Sequence, residues 1–464
     1  MKSATKKLNF GKAAEILRNI LSSKYLPFVT AAITVGCYYL GLDLLTYYYI
    51  VISGVAVLLL LDDATPIFSN FLFMSIAVSK INSPSPNAMG SDFYFRPAVL
   101  AQLIILIVIF AAAAIYRIVR AAMRKEFRLS PVFFGLCGLS VTFLANGLFS
   151  SDYNPMNIVY GLFMAGSFLG IFTLMKDNVS CTKESFEKVA YAFVAFSAAL
   201  LLELLVVYCT TEGIIQDGCV IRNKITFGWG TYNQIGCFMV LCIPAVFYVA
   251  HKHKFGYLFL LYSMVVGAGA IFTMSRQAML CSVIVYPLCF AILLIRGRNK
   301  LINRIIGGIA LVIGIVFVGI YYRELFNFFH SILISLKTGS GRTGLWVKAW
   351  NNFESAPLFG TGFYAKLPPS LNTVGLDIIP LMYHDTVLQL LASCGILGLI
   401  AYVIHRIQTI VSFFKNITRE RVFIAITVSA LLLINLLDNH LFYIFPTIMY
   451  SSMIAMLVKS ENIK

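Results

Sequence analysis

Apolar runs long enough to cross about 30 Å of hydrocarbon follow one another along nearly the whole chain, separated by short polar clusters. Fourteen of them are expected to be transmembrane helices, at residues 25–41, 44–61, 65–79, 97–116, 130–149, 157–175, 189–209, 232–250, 256–274, 277–295, 305–322, 385–404, 422–438 and 441–458. The run at 65–79 is the weakest, because it is short and begins at Pro66. One interruption stands apart: between the eleventh and twelfth runs the chain is polar for some sixty residues and carries GRTGLWVKAW, PLFGTGF and the approach to His384.

This pattern predicts an all-α polytopic membrane protein of about 12–14 transmembrane helices with one long extracytoplasmic loop containing short amphipathic helices. The expected organisation is an amphipathic cytoplasmic segment at 1–24, helices one to eleven over 25–322, the long loop at 323–384, three further helices over 385–458 and a cytoplasmic tail at 459–464. Composition agrees: 59% of the 464 residues are hydrophobic, 12% are charged and mean hydropathy is +0.84, which excludes an ordinary soluble domain.

The net charge of +16 reads as topology rather than nucleic-acid binding. With the N-terminus in the cytoplasm, Arg117/Arg120/Arg124/Lys125/Arg128, Arg296/Arg298/Lys300/Arg304 and Arg406/Lys415/Arg419/Arg421 all fall on the cytoplasmic side, as the positive-inside rule requires. Both termini are then cytoplasmic. Lys2, Lys6, Lys7 and Lys12 with Ile16, Leu17, Ile20 and Leu21 predict an interfacial helix on the anionic leaflet, and no cleavable signal peptide is expected from so basic a start. Residues 79–97 predict an outer loop. The ten cysteines show no metal-ligand spacing, and only Cys209 and Cys219 flank a loop in which a disulfide could form.

Under this topology three polar regions share the outer face. The segment 218–234 holds Arg222, Lys224, Trp229 and Asn233. Ser275-Arg276-Gln277 lies where two apolar runs meet, so Arg276 sits at the interface, where an ionisable side chain is costly unless it is paired or functional. After Gly341, Arg342, Leu345/Trp346, Ala349/Trp350 and Phe353 recur at helical spacing until Pro357. Ser340 or Thr343 would cap that helix and leave Arg342 with free N–H groups at its positive end, where a diphosphate would be stabilised. Two arginines can fork onto one diphosphate without a metal, and no cofactor is expected. His384, between Tyr383 and Asp385, is suited to take a proton from a sugar hydroxyl. HKHK at 251–254 and Asp62-Asp63 fall on the cytoplasmic side, Asp438-Asn439-His440 sits at an outer hairpin where it either lines the cavity or caps a helix, Glu203 within the seventh run is the one acid expected to be buried, and GTGF at 360–363 reads as a turn.

These motifs resemble those of the bacterial O-antigen ligase and Wzy-type O-antigen or capsule polymerase superfamily. The similarity lies in Gly-Arg before an aromatic helix, Pro-Leu-Phe-Gly-x-Gly, His-x-x-x-Leu-Gln, a Gly-Ile-Leu-Gly span, Ser-Arg-Gln and Asn233, together covering about 220–405. Where the family usually has His-Asn this chain has His384-Asp385, an acidic neighbour expected to orient the imidazole or raise its pKa. The resemblance implies a GT-C-like, metal-independent, inverting glycosyltransferase in the cytoplasmic membrane, acting at its outer leaflet on undecaprenyl-diphosphate-linked glycan as donor and acceptor, with chain-length regulator and flippase proteins as partners. His384 would be the base, Arg276 and Arg342 would hold the diphosphate, Arg222, Lys224 and Asn233 would assist in binding, and Trp346 and Tyr383 would stack on sugars. Ligation to lipid A core is the alternative to polymerisation. A flippase is disfavoured because its ionisable groups would lie at mid-membrane.

Overall fold

The computed structural model describes residues 10–78, 96–124, 129–151, 153–216, 219–227, 230–320, isolated positions up to 334, then 342–364 and 380–462. The expected loop at 79–97, Lys125, Arg128, Trp229, Ser340, most of 323–341 and the stretch 365–379 lie outside the described residues or nearly so.

Each of the fourteen apolar runs is occupied by a helix, and the chain is an all-α polytopic membrane protein. With the amphipathic α1 and α13 added, the helices in order are α1 (Phe10–Ser22), α2 (Leu26–Leu40), α3 (Asp43–Leu60), α4 (Ile67–Val78), α5 (Pro97–Met123), α6 (Pro131–Leu144), α7 (Met156–Asn178, with a π turn at Gly166–Gly170), α8 (Lys183–Thr210), α9 (Tyr232–Lys252), α10 (Gly256–Phe272), α11 (Arg276–Arg296), α12 (Lys300–Ile320), α13 (Thr343–Ser355), α14 (Thr386–Phe414), α15 (Arg419–Asn435) and α16 (Ile444–Lys459). Among the described residues seven helices are long and apolar enough to cross a bilayer alone, or eight if α1 and α2, bent by 83°, form one span. The expected count of 12–14 includes shorter apolar helices such as α6, α10 and α16, each of 17 residues or fewer. Two short β-hairpins, Ile215–Gln216 with Cys219–Val220 and Thr226–Phe227 with Gly230–Thr231, lie between α8 and α9.

The apolar periphery explains the solvent. α5 and α12 turn Ile104, Ile107, Val108, Leu311, Val312 and Ile315 outward, a surface that lipid satisfies and water does not. At the centre, α9 is buried without a break from Ile235 to His251. Gly236 lets α9 approach α11: a Cβ there would stand 2.7 Å from that of Ala278 and 2.8 Å from that of Ser275.

The two ends of the bundle differ in chemistry. At one end, fully buried Arg421 donates to the carbonyl of Leu457 and to Ser460 Oγ at 3.0 Å, satisfying carbonyls that a helix C-terminus leaves free. There too Asp63 accepts from Thr65 N at 3.0 Å and Ser180 N at 3.1 Å, so Asp62-Asp63 belongs to a structural clasp. This end collects Arg117, Arg120, Arg124, Arg296, Arg298, Lys415 and Arg419. The other end gathers the N-termini of α9, α11, α13, α14 and α16.

Candidate active site

Two helices at that end begin in the same unusual way. Met274 and His384 have φ of +56°, in the left-handed region that residues with a Cβ rarely adopt, and each is followed by a capping residue. Ser275 accepts from Ala278 N at 3.4 Å to start α11, and Asp385 accepts from Leu388 N at 2.8 Å to start α14. Holding His384 in that region costs on the order of 1–3 kcal/mol. Asp385 is therefore a helix cap, and the expected role of an acidic neighbour falls to a different residue.

That residue is Asp438, in the hairpin between α15 and α16. His384 Nδ1 lies 2.6 Å from Asp438 Oδ1. On the other carboxylate oxygen, Gln277 Nε2 donates at 3.0 Å and Arg342 Nη2 stands at 3.6 Å, while Asn439 N donates to Oδ1 at 2.8 Å. Arg342 also donates to the carbonyl of Leu437. Residues from the starts of α11, α13 and α14 thus meet on one carboxylate that is 3% exposed. Burial alone would raise its pKa, but the hydrogen bond from His384 and the nearby Arg342 guanidinium hold it well below the usual carboxylate range.

The carboxylate requires a hydrogen on Nδ1 of His384. In the neutral ring this leaves Nε2 with a free lone pair, on a side chain that is 32% exposed. His440 behaves differently. Burial pushes its pKa below the ordinary value despite the opposing pull of Asp438, and Gln277 Nε2 stands 3.2 Å from its Nε2, where it can donate only to an unprotonated nitrogen. His440, 2% exposed, is a neutral support beneath the pair.

The loop that delivers His384 is clamped at both ends. Gln389 accepts from Tyr383 N at 2.9 Å and from Asn439 Nδ2 at 2.6 Å, tying the start of α14 to the hairpin. Further along, α14 breaks at Gly395 (φ +67°), and PLFGTGF docks into the break: Ile396 N donates to Pro357 O at 2.8 Å, Thr361 N to Ala392 O at 2.8 Å and Gly362 N to Ser393 O at 3.1 Å. GTGF is therefore more than a turn. It is the wedge that completes a broken helix, and at Gly360 (φ +67°) a Cβ would lie 2.4 Å from Ser393 C.

The remaining candidates fall at this end but not all on the dyad. Arg276 is half-buried in the first turn of α11, next to Gln277. Asn233 accepts from Ser275 Oγ at 3.0 Å, which holds the Ser-Arg-Gln turn. Arg222 lies over the Tyr232 ring at 5.4 Å, and Lys224 donates to Glu212 O at 2.7 Å. Trp346, one turn along α13, has a buried indole N–H with no acceptor among the described residues. Tyr383 is fully buried and accepts from Asn352 Nδ2 at 2.6 Å, so in this conformation its ring offers no face to a sugar. α13 starts at Thr343 with Arg342 as an N-cap that makes no side-chain cap bond, so Thr343 is the first helical residue and not the cap, while Ser340 lies outside the described residues. Cys209 and Cys219 are both exposed and free. The sequence places Gln277 in the Ser-Arg-Gln motif and Asp438 at an outer hairpin, where it either lines the cavity or caps a helix, but assigns neither a role in the site.

Residues 258–403 match the family model described as O-antigen ligase. That span contains Arg276, Gln277, Arg342, Trp346, Tyr383 and His384, and stops short of Asp438. No curated protein matches the chain.

Proposed function

We propose that this membrane protein, whose residues 258–403 match the family model described as O-antigen ligase, is a metal-independent inverting glycosyltransferase that joins undecaprenyl-diphosphate-linked oligosaccharide repeat units into O-antigen or capsular polysaccharide at the outer face of the cytoplasmic membrane. The observation that carries this reading is the His384–Asp438 pair, 2.6 Å apart, with Arg342 on the second carboxylate oxygen. In the proposed step Nε2 of His384 takes the proton of an acceptor sugar hydroxyl, and that oxygen attacks the anomeric carbon of the donor. The bond from that carbon to the lipid diphosphate breaks on the opposite face. Arg276 and Arg342 stabilise the charge that develops on the diphosphate; Arg342 has donors to spare beyond those used on Leu437 and Asp438. The orphaned N–H of Trp346 supplies one more donor for a phosphate or sugar oxygen, with Arg222 and Lys224 further out.

The concentration of Lys and Arg at the opposite end supports an extracytoplasmic site. A ligase that transfers the finished glycan to lipid A core is the second reading, favoured by the description of the matched family. The bond-making chemistry is the same and the acceptor differs. Proteoliposomes given only purified lipid-linked repeat units test the proposal: a ladder of lengthened lipid-linked glycans supports polymerisation. Transfer only when lipid A core is added supports ligation, and lipid translocation without a new glycosidic bond defeats both.

A further inference from the structure

At the end of the bundle opposite the His384–Asp438 pair, α9, α11 and α15 enclose a crevice of about 360 Å³. Its walls are apolar, formed by Pro244, Phe247, Leu293, Phe423 and Ile426, and its rim carries His251, Arg296 and Arg419. From Pro244 to His251 α9 rises about 10 Å, so the crevice takes the upper part of an acyl chain. Arg296 and Arg419 are exposed, and no acid pairs with either among the described residues. Glu420, next to Arg419 in the chain, is already engaged by Lys252 Nζ at 2.7 Å and by the Tyr248 hydroxyl at 3.4 Å. His251 is only 8% exposed, and its Nε2 is buried without a hydrogen-bond partner among the described residues. A buried polar atom left unpaired costs free energy unless something absent from the protein satisfies it.

We propose that this crevice binds one anionic phospholipid of the adjoining leaflet, with an acyl chain against Phe247, Phe423 and Ile426 and the phosphate between Arg296, Arg419 and Nε2 of His251. Apolar walls select a chain. Two unpaired guanidiniums at the depth of the headgroups select its negative charge, and the neutral His251 tautomer protonated at Nε2 donates to a phosphate oxygen. This inference uses none of the residues assigned to glycan transfer and stands or falls separately from that assignment.

The test is native mass spectrometry and thermal unfolding of the purified full-length chain in detergent, titrated with phosphatidylglycerol, with phosphatidylcholine of the same chains, and with inorganic phosphate. Wild type is expected to retain one phosphatidylglycerol and to gain several degrees in Tm, with little response to phosphatidylcholine. Arg296→Gln with Arg419→Gln should weaken retention about tenfold or more, the loss of roughly 1.4 kcal/mol, and Ile426→Trp should exclude the lipid with the arginines intact. Because the arginines are exposed, their replacement should leave the lipid-free Tm unchanged, which separates lost binding from lost folding. Equal retention of the two phospholipids, undiminished retention by the variants, or a full response to phosphate alone would each overturn the proposal.

Discussion

His384 and Asp438 lie 54 residues apart in sequence, and Nδ1 of one stands 2.6 Å from Oδ1 of the other. The carboxylate fixes which ring nitrogen carries the proton and presents the other outward, the division of labour that makes a carboxylate–imidazole pair a competent base. Asp438→Asn keeps an acceptor for Nδ1 but removes the charge that stabilises the imidazolium formed as the proton is taken. The expected outcome is a fall in kcat on the order of 10²-fold or more, with donor KM and Tm nearly unchanged; kinetics in proteoliposomes with thermal unfolding checks it.

Arg342 donates to Leu437 O and stands 3.6 Å from Asp438, so its planar fork matters as much as its charge. Arg342→Lys is therefore expected to lower kcat/KM for the lipid-linked donor by at least about tenfold, because an ammonium cannot reproduce bidentate contact with a diphosphate. Full activity in the lysine variant would show that only a point charge is needed.

Gly395 permits the break in α14 that receives the 357–362 loop. A Cβ there would lie 2.3 Å from the Leu358 backbone at a φ of +67°, so Gly395→Ala should destabilise the protein by about 1–3 kcal/mol or more and reduce transfer by displacing His384. Gly308→Ala in α12, where a Cβ meets nothing within 4 Å, is the matched control and should leave Tm unchanged.

His440 is held neutral in the folded protein, with its pKa below the ordinary value. The unfolded chain binds a proton near pH 6.5 that the folded chain refuses, so this contribution to stability is present above that pH and is lost as pH falls through it. Tm measured from pH 8 to pH 5 should drop more steeply in wild type than in His440→Gln, whose side chain can still accept from Gln277. Parallel curves would remove His440 from this role.

The helices were legible in the sequence because lipid imposes one rule on every crossing segment: all fourteen runs became helices, although among the described residues only seven or eight are long and apolar enough to cross a bilayer. His384 and Arg342 were legible as well, being polar residues at the margins of apolar runs. Asp438 was legible only as one of two alternatives: an Asp beside Asn and His at a hairpin can line a cavity or cap a helix, and its pairing with His384 depends on how α14 and α15 pack. Asp385 drew attention by adjacency, yet adjacency on a chain entering a helix favours capping, and that is what it does. GTGF looked like a turn because nothing local reveals that α14 breaks at Gly395 to receive it.

The account rests on His384 acting as the base that Asp438 orients. The most direct measurement is single-turnover glycan transfer in proteoliposomes by wild type and His384→Ala, with donor binding measured on the same preparations. The account predicts that His384→Ala binds the lipid-linked donor as wild type does and forms new glycosidic bonds at least about a hundredfold more slowly. Transfer by His384→Ala at the wild-type rate would contradict it.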